Sequence, residues 1–237
     1  MLGRFLELSL PAPRILESWQ YYQALGFVSA VVGEIWPHRY AVVTDGRIAL
    51  GLHDAELAGP TLSYVLPELA RELTALESGG VEFESRTLGN YDFNEARFTA
   101  PGGQHARLLE ARTFSPPEHP PSSVLGWFEE YALPVDDLGR ARDFWEGLGF
   151  VTVAEQEEPW PHLSLTSDTL NLGLYPRREL ATPTLVFSCD ELAPLRERLA
   201  ALGIESRGRL PRSLDPATHL VLEGPEGLTL LVTPPPG

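Results

Sequence analysis

Cysteine is nearly absent from this sequence of 237 residues, because Cys189 is the only one. A single cysteine cannot form a disulfide within the chain, and this indicates a reducing compartment, the cytoplasm. Long apolar runs are missing as well, since Glu7 interrupts the apolar start of the chain. We therefore expect neither a signal peptide nor a membrane span.

Positive charge is scarce: 18 arginine and lysine residues stand against 33 aspartate and glutamate residues, for a formal net charge of −15. Such a field repels nucleic acid backbones and acidic membranes, and it favours cationic or neutral ligands. Solubility is the alternative meaning of the same charge. The sequence also lacks a phosphate-binding glycine loop, a Gly-x-Ser-x-Gly motif and a Cys-x-x-Cys pair. We expect no nucleic acid and no membrane as a partner.

A repeated block organises the chain. Segment 125–150 has the pattern of a strand, a turn and a helix, with Asp136 or Asp137 available to cap the helix. Segment 2–27 carries the same block. The residues Leu2, Gly3, Phe5, Glu7, Leu10, Pro11, Leu25, Gly26 and Phe27 recur as Leu125, Gly126, Phe128, Glu130, Leu133, Pro134, Leu148, Gly149 and Phe150. The chain is therefore an internal duplication.

Each half carries the element order β-α-β-β-β twice. The later landmarks repeat too: Trp160-Pro161-His162 matches Trp36-Pro37-His38, and Pro225-Glu226-Gly227 matches Pro101-Gly102-Gly103. We predict an α+β fold of four such units in two similar halves, 1–112 and 124–237. A proline-rich linker at 113–123 joins the halves.

The motifs resemble those of the vicinal oxygen chelate superfamily, which includes glyoxalase I, bleomycin-resistance proteins and extradiol dioxygenases. The resemblance is carried by Val135-Asp-Asp-Leu-Gly-Arg-Ala-Arg-Asp-Phe-Trp145, by Leu148-Gly-Phe150 and by Pro225-Glu-Gly227. It implies two glyoxalase-like domains, each with a curved mixed sheet built from two units. The concave face of each sheet, here called the cup, would hold a ligand or a metal. Consecutive or exchanged units can pair in one sheet, so the pairing stays open.

The resemblance also implies where metal ligands would lie, at the start of a unit's first strand and on its last strand. First strands carry Glu7, Thr61, Glu130 and Thr184 there, and last strands carry Gly51, Arg107, Gly173 and Leu231. A divalent metal needs several converging oxygen or nitrogen donors. One carboxylate in each cup does not supply them with either pairing of the units. We expect no metal and no other cofactor.

Glu7 and Glu130 occupy the cup-facing position in both halves, and His38 and His162 begin neighbouring strands. A glutamate and a histidine on one face can form an acid–base pair or hold a cationic ligand. Alternation predicts that Glu130 and His162 interact directly or through one water, which would raise the histidine's pKa and keep the carboxylate ionised. The alternatives are a structural ion pair of Glu7 with Arg107 and a solvated histidine in a Trp-Pro-His turn.

Aromatic side chains complete the predicted ligand site. Trp36 and Trp160 lie beside the rims of the cups and can stack on a flat ligand. Alternation turns Tyr40 and Tyr175 toward the cups. The predicted ligand-binding set is Glu7, Trp36, His38, Tyr40, Arg107, Glu130, Trp160, His162 and Tyr175. No catalytic residue is assigned.

The leading functional hypothesis is metal-independent binding of a small aromatic or cationic molecule in the cups, as in the drug-sequestering members of the superfamily. One alternative is a lyase, isomerase or dioxygenase with an atypical metal site around Glu7 and His38 or around Glu130 and His162. Another is a regulatory or partner-binding protein with degenerate cups. The duplication is compatible with a monomer, as a pseudo-dimer, or with a homodimer.

Overall fold

The computed structural model describes residues 1–30, 36–89, 94–110, 123–158, 160–206, 208, 210–211 and 213–235. Most of the predicted linker, 113–122, lies outside this part of the chain. The described elements of the first half are β1 (Arg4–Pro11), α1 (Ile15–Ala24), β2 (Val28–Ser29), β3 (Tyr40–Thr44), β4 (Ala49–His53), β5 (Thr61–Val65), α2 (Leu69–Ser78), β6 (Phe83–Thr87), β7 (Glu95–Ala100) and β8 (Gln104–Leu109).

The second half repeats this order, except that two described strands and not three follow the helix of its last unit. Its elements are β9 (Trp127–Val135), α3 (Leu138–Gly147), β10 (Val151–Gln156), β11 (His162–Thr166), β12 (Asn171–Pro176), β13 (Thr184–Ser188), α4 (Leu192–Ala201), β14 (Leu220–Glu223) and β15 (Thr229–Thr233). The predicted α+β fold in two similar halves is confirmed, with three β-α-β-β-β units and a fourth that is β-α-β-β within the described residues.

Each half contributes one mixed sheet to the fold. The strand orders are β2-β3-β4-β1-β5-β8-β7-β6 in the first half and β10-β11-β12-β9-β13-β15-β14 in the second. The first strands of consecutive units are antiparallel neighbours, β1 with β5 and β9 with β13. Consecutive units therefore pair, and the alternative with exchanged units is wrong.

The helix α3 shows how the repeated block folds. The Asp137 side chain accepts a hydrogen bond from the backbone N–H of Arg140 at 2.9 Å and so caps the helix. Ala141 and Trp145 are buried on its inner face. Gly149 then ends the block with a φ of 103°, a backbone conformation that favours glycine.

One hydrophobic core runs through both halves. On β9, Tyr131, Leu133 and Val135 belong to this core, whereas Ala132 belongs to a second cluster on the opposite face of the sheet. This alternation confirms the strand period that the sequence predicts. Aromatic contacts join the halves directly. The ring centroids of Phe98 and Phe144 lie 6.2 Å apart, and those of Phe27 and Phe187 lie 6.5 Å apart.

Polar contacts also cross between the halves. Ser18 on α1 donates a hydrogen bond to Glu226 at 3.0 Å, and Tyr22 donates a second one to the same carboxyl. Tyr131 donates to the Gln104 side chain at 3.1 Å. Within the described part of the chain, no helix combines the length and the apolar character that a bilayer crossing requires.

Candidate functional site

The Glu130 carboxylate lies across a glycine on the neighbouring strand. Strand β12 runs parallel to β9, and a Cβ built on Gly173 would come within 2.1 Å of Glu130 Oε1. Any larger residue at position 173 would therefore displace the carboxylate. Glycine here leaves the space that the carboxylate of Glu130, only 7% exposed, occupies.

Tyr175 connects Glu130 with His162. Its hydroxyl donates a hydrogen bond to Glu130 Oε1 at 2.5 Å, and its ring stacks on the His162 ring at 4.8 Å between centroids. The Trp160 ring meets Tyr175 edge-on at 6.2 Å. His162 Nδ1 lies 3.1 Å from the Trp160 carbonyl oxygen. Glu130 and His162 thus reach the same space, and the structure places Tyr175 in contact with both.

A cavity of about 540 Å³ opens on this face of the second sheet. We call it the C-terminal cup. Its apolar lining includes Ala132, Trp160, Leu180, Val186, Leu214 and Leu231. Its polar lining includes Glu129, Glu130, His162, Ser164, Thr166, Asn171, Tyr175 and His219. An apolar cavity with a few converging polar groups is the usual form of a small-molecule site.

Burial is the main cause of the pKa shifts of Glu130 and Tyr175 in the C-terminal cup. It raises the pKa of Glu130, although hydrogen bonds from Tyr175 and Ser164 act in the opposite direction. Burial also raises the pKa of Tyr175 well above its ordinary value, and the nearby Glu130 adds to the shift. The expectation that a histidine would hold the Glu130 carboxyl ionised is therefore wrong. Desolvation instead favours its neutral form.

The first half repeats the arrangement with a histidine at the position of Tyr175. Glu7 Oε1 lies 2.7 Å from His53 Nε2 and accepts a hydrogen bond from Ser9 at 2.9 Å. His53 Nδ1 lies 2.8 Å from His38 Nε2. As in the second half, a glycine leaves room for the glutamate, since a Cβ on Gly51 would lie 2.3 Å from Glu7 Oε1.

Aromatic rings and a buried arginine surround this histidine pair. Tyr40 stacks on His53 at 5.7 Å, and Trp36 stacks on His38 at 5.9 Å. Arg107 Cζ lies 4.7 Å from the centre of the Trp36 ring. We call the group Glu7, Trp36, His38, Tyr40, His53 and Arg107 the N-terminal cup.

One alternative and one expectation for the first half are wrong. The alternative in which Glu7 forms an ion pair with Arg107 is not found, because Glu7 is paired with His53 and Arg107 Nε lies 3.5 Å from Glu95. The pKa of His38 is lowered rather than raised. Burial is the main cause, and the proximity of His53 and Arg107 lowers the pKa further, against the smaller opposite effects of Asp54 and Glu7.

The ligand-binding set predicted from the sequence did not include His53. The signal was present, because Gly51-Leu52-His53 matches Gly173-Leu174-Tyr175 in the second half. The residue two positions after the glycine returns to the same face of the strand as the glutamate. In both halves this residue contacts the glutamate and the histidine that were predicted to interact directly or through one water.

The residues at the expected metal-ligand positions do not fit a divalent metal. Thr61 and Thr184 donate their hydroxyls to backbone carbonyls. Gly51 and Gly173 offer no side chain, and Leu231 belongs to the apolar cluster. Within the described ranges, no three acidic, histidine or cysteine side chains converge as a metal site requires. No metal-dependent step is therefore derived for these positions.

Comparison of the structure with solved structures found proteins of the same fold. A variant of homoprotocatechuate 2,3-dioxygenase from Brevibacterium fuscum matches with a TM-score of 0.62 and 16% identity, over 98% of this chain and 71% of the other. The homoprotocatechuate 2,3-dioxygenase of Arthrobacter globiformis matches with a TM-score of 0.62 and 14% identity, over 98% and 80%. The chain thus shares the fold of extradiol dioxygenases, which the sequence resemblance implied. No protein-family model and no curated protein sequence matched.

Proposed function

We propose that the C-terminal cup binds a small, largely apolar molecule that carries an aromatic ring or a cationic group, without the help of a metal. The observation that carries this proposal is a cavity of about 540 Å³ whose apolar wall encloses a buried glutamate. Cavities of this volume suit small organic ligands. The fold alone does not decide the activity.

The apolar lining would provide most of the binding free energy. Trp160, Leu180, Val186, Leu214 and Leu231 surround the space. An aromatic ring that loses about 150 Å² of apolar surface on entry gains about 4 kcal/mol, before the cost of association. The rings of Trp160 and Tyr175 would also attract a cationic group by cation–π interaction.

Glu130 would select the charge of the ligand. A buried carboxylate without a cationic partner is costly, which is why burial raises the pKa of Glu130. A cation that enters the cup would stabilise the ionised carboxylate and release its proton. Binding of a cation should therefore strengthen as the pH rises through the raised pKa of Glu130. An anionic ligand would meet Glu129 and Glu130 and should be excluded.

Thermal shift measurements with three matched probes test the proposal. We expect benzyltrimethylammonium and benzyl alcohol to raise the melting temperature, and benzoate to leave it unchanged. Leu231→Phe should reduce both shifts, because the larger side chain narrows the cup. Leu202 is exposed, so the control variant Leu202→Phe should show the same melting-temperature shifts as the wild-type protein. Equal shifts with all three probes, or shifts that Leu231→Phe leaves unchanged, would contradict the proposal.

A catalytic role is the second candidate, and the similarity in fold to extradiol ring-cleaving dioxygenases is what favours it. Such a role would need an atypical metal site around Glu7 and His38 or around Glu130 and His162. Elemental analysis of the purified protein separates the two candidates. About one tightly bound metal per half, lost in Glu7→Gln or Glu130→Gln, would favour catalysis.

A further inference from the structure

The N-terminal cup contains a continuous chain of hydrogen-bonding side chains that leads from the interior of the sheet to its surface. Ser63 Oγ lies 2.8 Å from Ser9 Oγ, and Ser9 donates to Glu7. Glu7 contacts His53, and His53 contacts His38. Glu7 and His53 are buried, with 2% and 1% exposure, whereas His38 is only partly buried.

The Glu7 carboxylate determines which ring nitrogens of His53 and His38 carry hydrogen. Glu7 as an acceptor requires His53 to carry its hydrogen on Nε2, which leaves His53 Nδ1 as an acceptor. His38 must then donate from Nε2, so the lone pair of His38 lies on Nδ1. This is the logic by which a buried carboxylate holds a histidine in the tautomer of a general base. Here the base is the second histidine of the chain.

Arg107 supplies a positive charge on the same side of the cup. Its side chain is 4% exposed, and its Nε has no hydrogen-bond partner in the described structure. Glu95 lies 3.5 Å from this atom, and Arg97 binds the same Glu95 carboxylate. Both Arg107 and His38 lie against the Trp36 ring. A buried guanidinium with an unused donor is suited to an oxyanion.

We propose that the N-terminal cup is a second site of different chemistry, which takes a planar, weakly acidic molecule such as a phenol. The proton moves from the ligand O–H to His38 Nδ1, and His38 becomes an imidazolium that still donates from Nε2 to His53. Glu7, through His53, stabilises that positive charge. The phenolate oxygen accepts from Arg107, and the Trp36 ring supplies an aromatic contact. The other titratable groups that act on His38 are His53 and Asp54.

This site does not depend on the C-terminal cup, so the two proposals can fail separately. The probe is 4-nitrophenol, whose phenolate has an absorption band that the neutral phenol lacks. At a pH below the probe's own pKa in water, we expect the wild-type protein to increase the phenolate band on binding. His38→Asn should abolish the increase, and Arg107→Met should weaken binding of the phenolate about tenfold or more. Arg39→Met, an exposed neighbour, is the matched control and should change neither.

Nitrogen-15 NMR of the histidine rings gives a readout that needs neither a ligand nor a variant. We expect both His38 and His53 to carry their hydrogen on Nε2. The opposite tautomer at His38 would overturn the proposal. So would an unchanged probe spectrum with millimolar wild-type protein, or an increase that His38→Asn retains and Glu130→Gln removes. That last result would place the phenolate in the C-terminal cup.

Discussion

The substitution Gly173→Ala tests how the Glu130 carboxylate is held in the C-terminal cup. The added methyl group would lie 2.1 Å from Glu130 Oε1 and 2.5 Å from a ring carbon of Tyr175, far inside contact distance. The backbone at Gly173 does not have a positive φ. The effect therefore comes from lost space and not from backbone strain.

The expected cost has two parts. Overpacking of a filled site costs about 1–3 kcal/mol, and loss of the hydrogen bond from Tyr175 to Glu130 adds about 1 kcal/mol. A loss of roughly 2–4 kcal/mol corresponds to a fall in melting temperature of roughly 5–15 °C for a chain of this size. Thermal and urea denaturation measure it.

Gly147→Ala is the matched control. A Cβ at Gly147 meets no atom within 4 Å, and the residue ends helix α3. Alanine there should be neutral or stabilise by up to about 1 kcal/mol. Glu130→Ala combined with Gly173→Ala should be less unstable than the sum of the single changes by about 1–3 kcal/mol, because the clashing carboxylate is gone. Additive effects, or wild-type stability of Gly173→Ala, would refute the reasoning.

Further predictions concern protonation and metals. Burial raises the pKa of Glu226 between the halves, so its ionisation should reduce stability as the pH rises through that pKa; Glu226→Gln should flatten the pH dependence of the melting temperature, and an unchanged slope would contradict this. Tyr22→Phe removes a donor to Glu226 and should lower the free energy of unfolding by about 1–3 kcal/mol in urea titrations; no loss would contradict it. Tyr175→Phe should raise the pKa of Glu130 further in a carbon-13 NMR titration, since the Tyr175 hydrogen bond lowers it; a lower pKa would be the contrary result. Incubation with EDTA should change neither the melting temperature nor probe binding, and a loss of either would indicate a bound metal.

Much of the fold could be predicted because the same pattern of motifs occurs in both halves of the sequence. Repeated landmarks such as Leu148-Gly149-Phe150 mark the same turn in both halves, and the strand period identifies which side chains face the core. The pairing of consecutive units was not predictable. It depends on contacts between β1 and β5 and between β9 and β13, which lie far apart in sequence.

Most residues of the candidate site could be predicted from the sequence, but His53 was left out of the predicted set and the contacts were not predictable. Alternation assigns Glu7, His38 and His53 to one face, but it does not say which of them touch. The register of parallel strands β1 and β4 places Gly51 opposite Ser9 and His53 opposite Pro11. Glu7 contacts His53 only because its side chain extends over the space that Gly51 leaves. The directions of the pKa shifts also depend on how deeply each group is buried. A strand pattern predicts which face of the sheet a side chain lies on, but it does not predict how deeply the side chain is buried.

Isothermal titration of benzyltrimethylammonium into the wild-type protein and into Glu130→Gln tests most directly whether the C-terminal cup is a ligand site anchored by Glu130. The amide keeps the shape of the side chain and can still accept the hydrogen bond from Tyr175, so only the charge is removed. We predict that the variant binds the cation about tenfold or more weakly, while its affinity for benzyl alcohol changes less than about twofold. Equal affinity of the two proteins for the cation would contradict the account.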